Sequence, residues 1–234
     1  MSGAKQFIED VKIVPLGKLY ECKVCYNQAY YSDELFGYFS IALPEALKHS
    51  ESMRKAEFLA GRIAAKRVLE CLGILDYQVM IGALREPIWP STLFGSISHT
   101  QSLAICMAGN RQYVSALGID TEDWIKSGVA NEIKNEITSC HERLSLAALK
   151  WPTCKILTLC FSLKESLFKA LSNSGIEDPQ FHDLEVIAVC QQKSTVQVRM
   201  LKSGIKKCPK GHIFTCHYAA SEDYIITRFI GACD

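Results

Sequence analysis

The sequence predicts a mixed α+β protein, and three patterns carry the prediction. Two long stretches, 52–72 and 156–171, repeat apolar residues every three to four positions. A strand–turn–strand pattern runs from 95 to 120. Beyond residue 184, four short β-branched runs follow one another. At 234 residues, 48% hydrophobic and 22% charged, the chain can bury one large core or two small ones without disulfide or metal staples. A formal net charge of +1 gives no global field for nucleic acid or an anionic membrane, so any basic site must be local. No apolar run approaches the ~20 residues of a membrane span.

Eleven cysteines are scattered without a framework, and residues 1–10 lack the apolar centre of a signal peptide. The expectation is a reducing cytoplasm and free thiols. Cys22-Lys23-Val24-Cys25 forms a lone C-x-x-C inside a strand-like run. With no second pair at matching spacing, and only Cys208 and His212 elsewhere, it does not read as a zinc site.

Residues 7–42 read as short strands and loops, and Pro44 as the first turn of a short helix. In the helix over 52–72, Ala56, Ala60, Ile63, Ala64, Val68 and Cys71 form the apolar stripe. Arg54, Arg62 and Lys66 line up loosely on another side, either as a solvated basic face or as a phosphate-binding wall. Gly61 invites close approach of another backbone. Glu86-Pro87-Ile88-Trp89-Pro90 cannot be helical and reads as a rigid extended loop.

Gly95-Ser96-Ile97-Ser98-His99-Thr100 leads into an apolar run over 103–108, a turn at Gly109-Asn110, and a strand ending in Gly118-Ile119-Asp120-Thr121-Glu122-Asp123. A hairpin closed at that turn pairs positions summing to about 221, which sets His99 opposite Glu122. Such a hairpin gathers Ser98, His99, Asp120 and Glu122 at one end, as a salt-bridged cluster or an anion-binding loop. Asp120 and Glu122 share a strand face, roughly 6.5–7 Å apart along the chain. Two such carboxylates repel unless a cation lies between them, and oxygen ligands with open positions suit Mg²⁺ on a phosphorylated substrate. Ordinary surface acids are the other reading.

Residues 129–149 form a second helical region ending near Trp151-Pro152, and adjacent Cys140 and His141 receive no role. In 156–171, Ile156, Cys160, Leu163, Leu167 and Ala170 form the core stripe. Glu165 points away from it, between Phe161 and Phe168 and one turn before Lys169. A carboxylate among aromatics is partly desolvated, which raises its pKa and makes it a better base; the alternative is a simple Glu–Lys surface pair. Runs at 185–189, 195–200, 213–218 and 224–230 read as an antiparallel meander. No Pro/Gly/Ser-rich linker separates the two parts, expected to divide as 1–117 and 118–234.

Gly95-Ser96-Ile97-Ser98-His99, Gly118-Ile119-Asp120-Thr121-Glu122 and Phe161-Ser162-Leu163-Lys164-Glu165-Ser166-Leu167-Phe168-Lys169-Ala170 resemble, in order, the signature blocks of 4'-phosphopantetheinyl transferases. The resemblance is to the surfactin-type group and, within it, the enterobactin synthetase component D branch. Phe58-Leu59-Ala60-Gly61-Arg62 and Glu86-Pro87-Ile88-Trp89-Pro90 are similar to earlier blocks of that branch, so the likeness spans about 54–171. Thr121 departs from the aliphatic residue common between the two acids.

The resemblance implies two pseudo-symmetric α/β-sandwich halves with coenzyme A in the cleft between them. It implies Mg²⁺-dependent transfer of the 4'-phosphopantetheine arm to a serine of an apo acyl, peptidyl or aryl carrier protein, releasing adenosine 3',5'-bisphosphate, for siderophore or other secondary-metabolite synthases. Arg54, Arg62, Arg85, Ser98, His99 and Lys169 would hold coenzyme A, with Lys66 a further candidate. Asp120, Glu122 and Glu165 would hold Mg²⁺, and Glu165 and Lys169 would be catalytic. A cytoplasmic monomer with no nucleic-acid partner is expected. Two other readings stay open: a Mg²⁺-dependent coenzyme A pyrophosphatase, and a non-catalytic carrier-binding module of the same fold.

Overall fold

A computed structural model describes residues 2–173, 180–202 and 208–232. The elements in chain order are α1 (Ser2–Phe7), β1 (Ile8–Leu16), β2 (Leu19–Tyr26), α2 (Glu34–Tyr38), α3 (Ser52–Cys71), β3 (Met80–Ile81), β4 (Pro87–Ile88), β5 (Leu93–His99), β6 (Leu103–Asn110), β7 (Val114–Asp123), α4 (Ser127–Ile137), α5 (Cys140–Ser145), α6 (Thr153–Asn173), β8 (Leu184–Cys190), β9 (Thr195–Met200), β10 (Ile213–Ala220) and β11 (Tyr224–Ala232). The mixed α+β class expected from the sequence is the one observed. The chain forms two compact units, Met1–Ser115 with Ala232–Asp234, and Ala116–Gly231.

The first unit sets α3 against a four-stranded antiparallel sheet of order β1-β2-β6-β5. Ala56, Ala60, Ile63, Ala64 and Val68 are buried as their spacing predicts, whereas Cys71, the last helical residue, is exposed. At Gly61 the close neighbour is the side chain of Ile97, not a backbone: a methyl group there would lie 3.0 Å from Ile97 Cγ2. Pro44 precedes a single 3₁₀ turn over Glu45–Leu47 instead of entering an α-helix. Pro87 and Ile88 pair with Ile81 and Met80, so the proline-rich loop is extended and pinned at one point.

The expected hairpin between 103–108 and 113–123 does not form. β6 pairs with β5 on one side, in the register His99↔Ala104, and with β2 on the other, Cys22↔Cys106. Residues 103–108 are at most 2% exposed, because β6 is the sheet's interior strand and both its edges are bonded. β6 therefore leaves no edge for β7, which belongs to the second unit's sheet. The register that set His99 opposite Glu122 is accordingly wrong: His99 is a first-unit residue and Glu122 a second-unit residue.

The second unit is a five-stranded sheet of order β7-β11-β10-β9-β8, with α6 supplying the other half of its core. Leu159, Cys160, Leu163 and Leu167 of α6 meet Val186, Val196, Val198, Phe214, Cys216 and Ile225 of the strands. The meander read from the sequence is present, each strand within two residues of its expected bounds. α6 crosses β7 at Gly118, where a β-carbon would overlap the carbonyl oxygen of Ser166 and lie 2.8 Å from the amide nitrogen of Ala170. Both obstacles are helix backbone, which no rotamer change can move aside. On the strand, Thr121 is fully buried and its hydroxyl donates to the Ile225 carbonyl at 3.1 Å, tying β7 to β11.

The Gly118 contact makes a paired prediction. Gly118→Ala should destabilise the protein by about 1–3 kcal/mol or more through overpacking. Gly128→Ala in α4, where no atom lies within 4 Å, should be neutral or stabilising by about 0.5–1 kcal/mol. Urea unfolding of both variants checks this, and equal effects would contradict the packing argument.

Candidate active site

The second unit concentrates acids at the end of β7. Asp120 is 2% exposed, Glu122 two residues on is half-buried, and Asp123 is exposed. α6 brings Glu165 and Lys169 to them. Lys169 Nζ donates to Asp120 Oδ1 at 2.6 Å, a pairing that depends on the close crossing at Gly118 just upstream of Asp120 and just past Ser166. Phe161 and Phe168, the rings expected beside Glu165, both meet Phe181 from the segment before β8. That ring stacks on Phe161 at 5.4 Å and meets Phe168 edge-on at 5.2 Å.

Burial pushes the Glu122 carboxyl up to about 8, helped by Asp120 and opposed by Lys169, with Glu165 and Asp123 adding repulsion. The Glu165 carboxyl is also raised, first by burial, with Lys169 lowering it and Asp120 raising it. Glu122 and Glu165 thus stand in one field, short of positive charge.

Among the described residues, no three His, Cys, Asp or Glu groups converge as a ready-made metal cage. Mg²⁺ needs no such cage, since it binds through one or two carboxylates plus substrate phosphates and keeps several waters. An oxygen-only donor set with one buried carboxylate and two proton-hungry neighbours fits that kind of ion.

The first unit gathers the cations. Arg54 Nη1 lies 3.2 Å from His99 Nε2 and 3.3 Å from Glu57 Oε2, and His99 Nδ1 lies 3.7 Å from the same Glu57 oxygen. A guanidinium only donates, so His99 Nε2 accepts and its proton sits on Nδ1, facing Glu57. Arg62 lies over the Phe58 ring, 4.3 Å from its centroid, and its Nη2 donates weakly to the Met80 carbonyl at 3.5 Å. Its buried Nε has no hydrogen-bond partner among the described residues. Burial pushes this guanidinium down to about 10, still charged at neutral pH. A cavity of about 400 Å³ beside it is lined by Phe58, Arg62, Lys66, Tyr77 and Met80, among others.

Lys66 donates to the Phe39 carbonyl at 2.9 Å, and Ser98 is buried in β5. Arg85 is not brought into this group by any contact among the described residues. It sits exposed in the turn between β3 and β4, with a left-handed backbone of φ 68°.

Comparison with known proteins identifies the family. Residues 43–109 match the family model described as the 4'-phosphopantetheinyl transferase N-terminal domain, and residues 116–228 match that of the 4'-phosphopantetheinyl transferase superfamily. Enterobactin synthase component D of Escherichia coli (strain K12) is 34% identical over 184 residues, covering 77% of this chain and 79% of that protein. The chain belongs to the 4'-phosphopantetheinyl transferase superfamily. Enterobactin synthase component D of Salmonella typhimurium is 37% identical over 145 residues, 62% of this chain and 59% of that one. The matched segment thus spans a little more than half the length of the Salmonella relative. The 4'-phosphopantetheinyl transferase PptT of Mycobacterium tuberculosis is 31% identical over 134 residues, 55% and 57% of the two chains. The resemblance read from five short blocks is therefore supported across most of the chain. No single described helix is long and apolar enough to cross a membrane.

Two residues beside the site carried little signal in the sequence. Gly118 is needed for the helix crossing, and Lys164, fully buried one residue before Glu165, sits where a solvated charge would be expected. Its place between Leu163 and Leu167 on a long apolar helix was the available hint.

The raised Glu122 carboxyl predicts a pH dependence. Unfolded, it releases its proton near 4.5, whereas folded it holds the proton to about 8. Between those values the native state binds more protons, so stability falls as pH rises. Calorimetry on metal-free protein should show the melting temperature declining across that window, with a flatter profile for Glu122→Gln. A flat parent profile would contradict the assignment.

Proposed function

We propose that this protein transfers the 4'-phosphopantetheine arm of coenzyme A to a serine of an apo carrier protein. The observation that carries the proposal is the Lys169–Asp120 pair set among two proton-hungry carboxylates. An ammonium beside clustered carboxylates suits phosphoryl transfer, where charge must be neutralised and a hydroxyl activated.

Asp120, Glu122 and Glu165 would hold Mg²⁺. When bound, the ion would offset charge on the pyrophosphate and lower the pKa of its carboxylate neighbours. The serine oxygen attacks the β-phosphorus, and the bond from that phosphorus to the bridging oxygen breaks. The electron pair leaves with adenosine 3',5'-bisphosphate. Glu165 takes the serine proton, directly or through a water. Lys169 steadies charge on the phosphoryl oxygens.

Arg62, with a buried donor and an adjoining cavity, and the Arg54–His99 pair are the grip for the phosphates of coenzyme A. Ser98 and Arg85 join them as binding candidates from the family motifs. The relatives named enterobactin synthase component D support a carrier domain of a siderophore or related secondary-metabolite synthase as acceptor. The scattered cysteines and near-zero net charge support a cytoplasmic protein without a nucleic-acid partner, which we take to act as a monomer.

Incubation with coenzyme A, Mg²⁺ and a panel of apo carrier proteins, followed by weighing each carrier, tests the proposal. A mass gain of one phosphopantetheine on at least one carrier is expected, absent for Asp120→Ala. Free phosphopantetheine with unmodified carriers would show a pyrophosphatase instead, and carrier binding without reaction a non-catalytic module. Arg62→Ala should weaken coenzyme A binding roughly 10- to 150-fold, as loss of a charge-assisted phosphate contact does. Calorimetric affinity equal to the parent's would place the phosphates elsewhere.

A further inference from the structure

Lys164 is 0% exposed, and nothing in the proposed reaction uses it. A buried ammonium survives only when bonded. Lys164 Nζ donates to Glu142 Oε1 at 2.9 Å and to the Ile137 carbonyl at 2.8 Å. Its charge also lies 6.0 Å from the centroid of the Phe181 ring, which covers the two aromatics flanking Glu165.

Glu142, 2% exposed, is equally committed. Its Oε1 also accepts from the Val186 amide at 3.0 Å, and its Oε2 accepts from the Ser139 amide at 2.8 Å, closing the capping box of α5. One ion pair thereby joins the end of α4, the first turn of α5, the start of β8 and the middle of α6.

Stability alone does not explain such a pair, since well-packed apolar residues commonly serve a core as well or better. What the pair adds is a unique geometry. Apolar contacts are non-directional, whereas an ammonium tied to a carboxylate that two backbone amides also hold has one place to be. Each helical residue advances 100° and 1.5 Å, so fixing Lys164 fixes where Glu165 and Lys169 point.

We propose that Lys164 and Glu142 are a positioning pair that sets the roll and height of α6, holding Glu165 and Lys169 in register with Asp120 without touching substrate. This rests on the reading of Glu165 and Lys169 as reacting-site residues. Gly118 sets how close α6 comes to β7, and the ion pair sets how the helix is turned.

Lys164→Met alone leaves the Glu142 charge buried and unpaired and is expected to impair folding. The informative variant is Lys164→Met/Glu142→Gln, which removes both charges and keeps an amide oxygen for one backbone N–H. It should still melt cooperatively and keep the parent's KM for coenzyme A. Its kcat per folded molecule should fall roughly 10²-fold, as expected for a reacting group displaced by about 1 Å. Amide hydrogens in residues 162–170 should also exchange faster. Glu142→Asp keeps both charges while shortening the reach to Lys164, and serves if the double variant does not fold; it should show the same separation of kcat from KM, in smaller measure. Parent-level kcat per folded molecule, or a loss wholly explained by a smaller folded fraction, would overturn the proposal. Glu165→Gln run alongside separates the two readings. A parent-like rate there would remove the base assignment, while a slow Glu165→Gln with a normal double variant would remove only the positioning pair.

Discussion

The close crossing of α6 over β7 at Gly118 is the constraint on which the second unit depends. Only hydrogen fits between that α-carbon and the carbonyl of Ser166. With the helix this near, Lys169 reaches Asp120 at 2.6 Å, and Glu165 enters the field of the acids at the strand end. The core from Leu163 and Leu167 to Val198 and Ile225 packs the same helix against further strands of that sheet. Thr121 bonds the same strand to β11, so the segment carrying Asp120 and Glu122 is held on both flanks. Packing and chemistry therefore share residues, and a change that loosens the crossing must also disturb the acids.

Electrostatics show what that packing stores. Desolvating Glu122 and Glu165 next to Asp120 leaves the metal-free cluster short of positive charge, with Lys169 answering part of the need. The first unit has the opposite character: Arg62 is a guanidinium kept charged despite burial, and Arg54 donates to His99.

Much of the fold was legible in the sequence because its elements are strongly periodic. The stripe from Ile156 to Ala170 is buried as spaced, and the four C-terminal strands fall where their β-branched runs lie. The aromatic cover on Glu165 was legible from Phe161 and Phe168, although its third member, Phe181, lies in a segment whose position only the tertiary fold decides. The hairpin misread had a different origin. Adjacency in sequence suggested that β6 pairs with β7, but β6 already uses both edges on β2 and β5. Local pattern carries no information on which edges remain free. Lys164 could not be read from local pattern either, since a lysine on a helix gives no sign of burial until its partner, Glu142, is known to be buried beside it.

The proposed chemistry requires Lys169 and Asp120 to act as one unit, and a double-mutant cycle measures that directly. Turnover of Asp120→Asn, Lys169→Met and the double variant, each with coenzyme A, Mg²⁺ and a carrier at saturation, yields their coupling energy. Residues that work as one unit are strongly non-additive, so the double variant should be about as slow as the worse single variant. Strictly additive losses would show that the two residues act independently, and the contact that α6 makes with β7 would then not be the basis of the site.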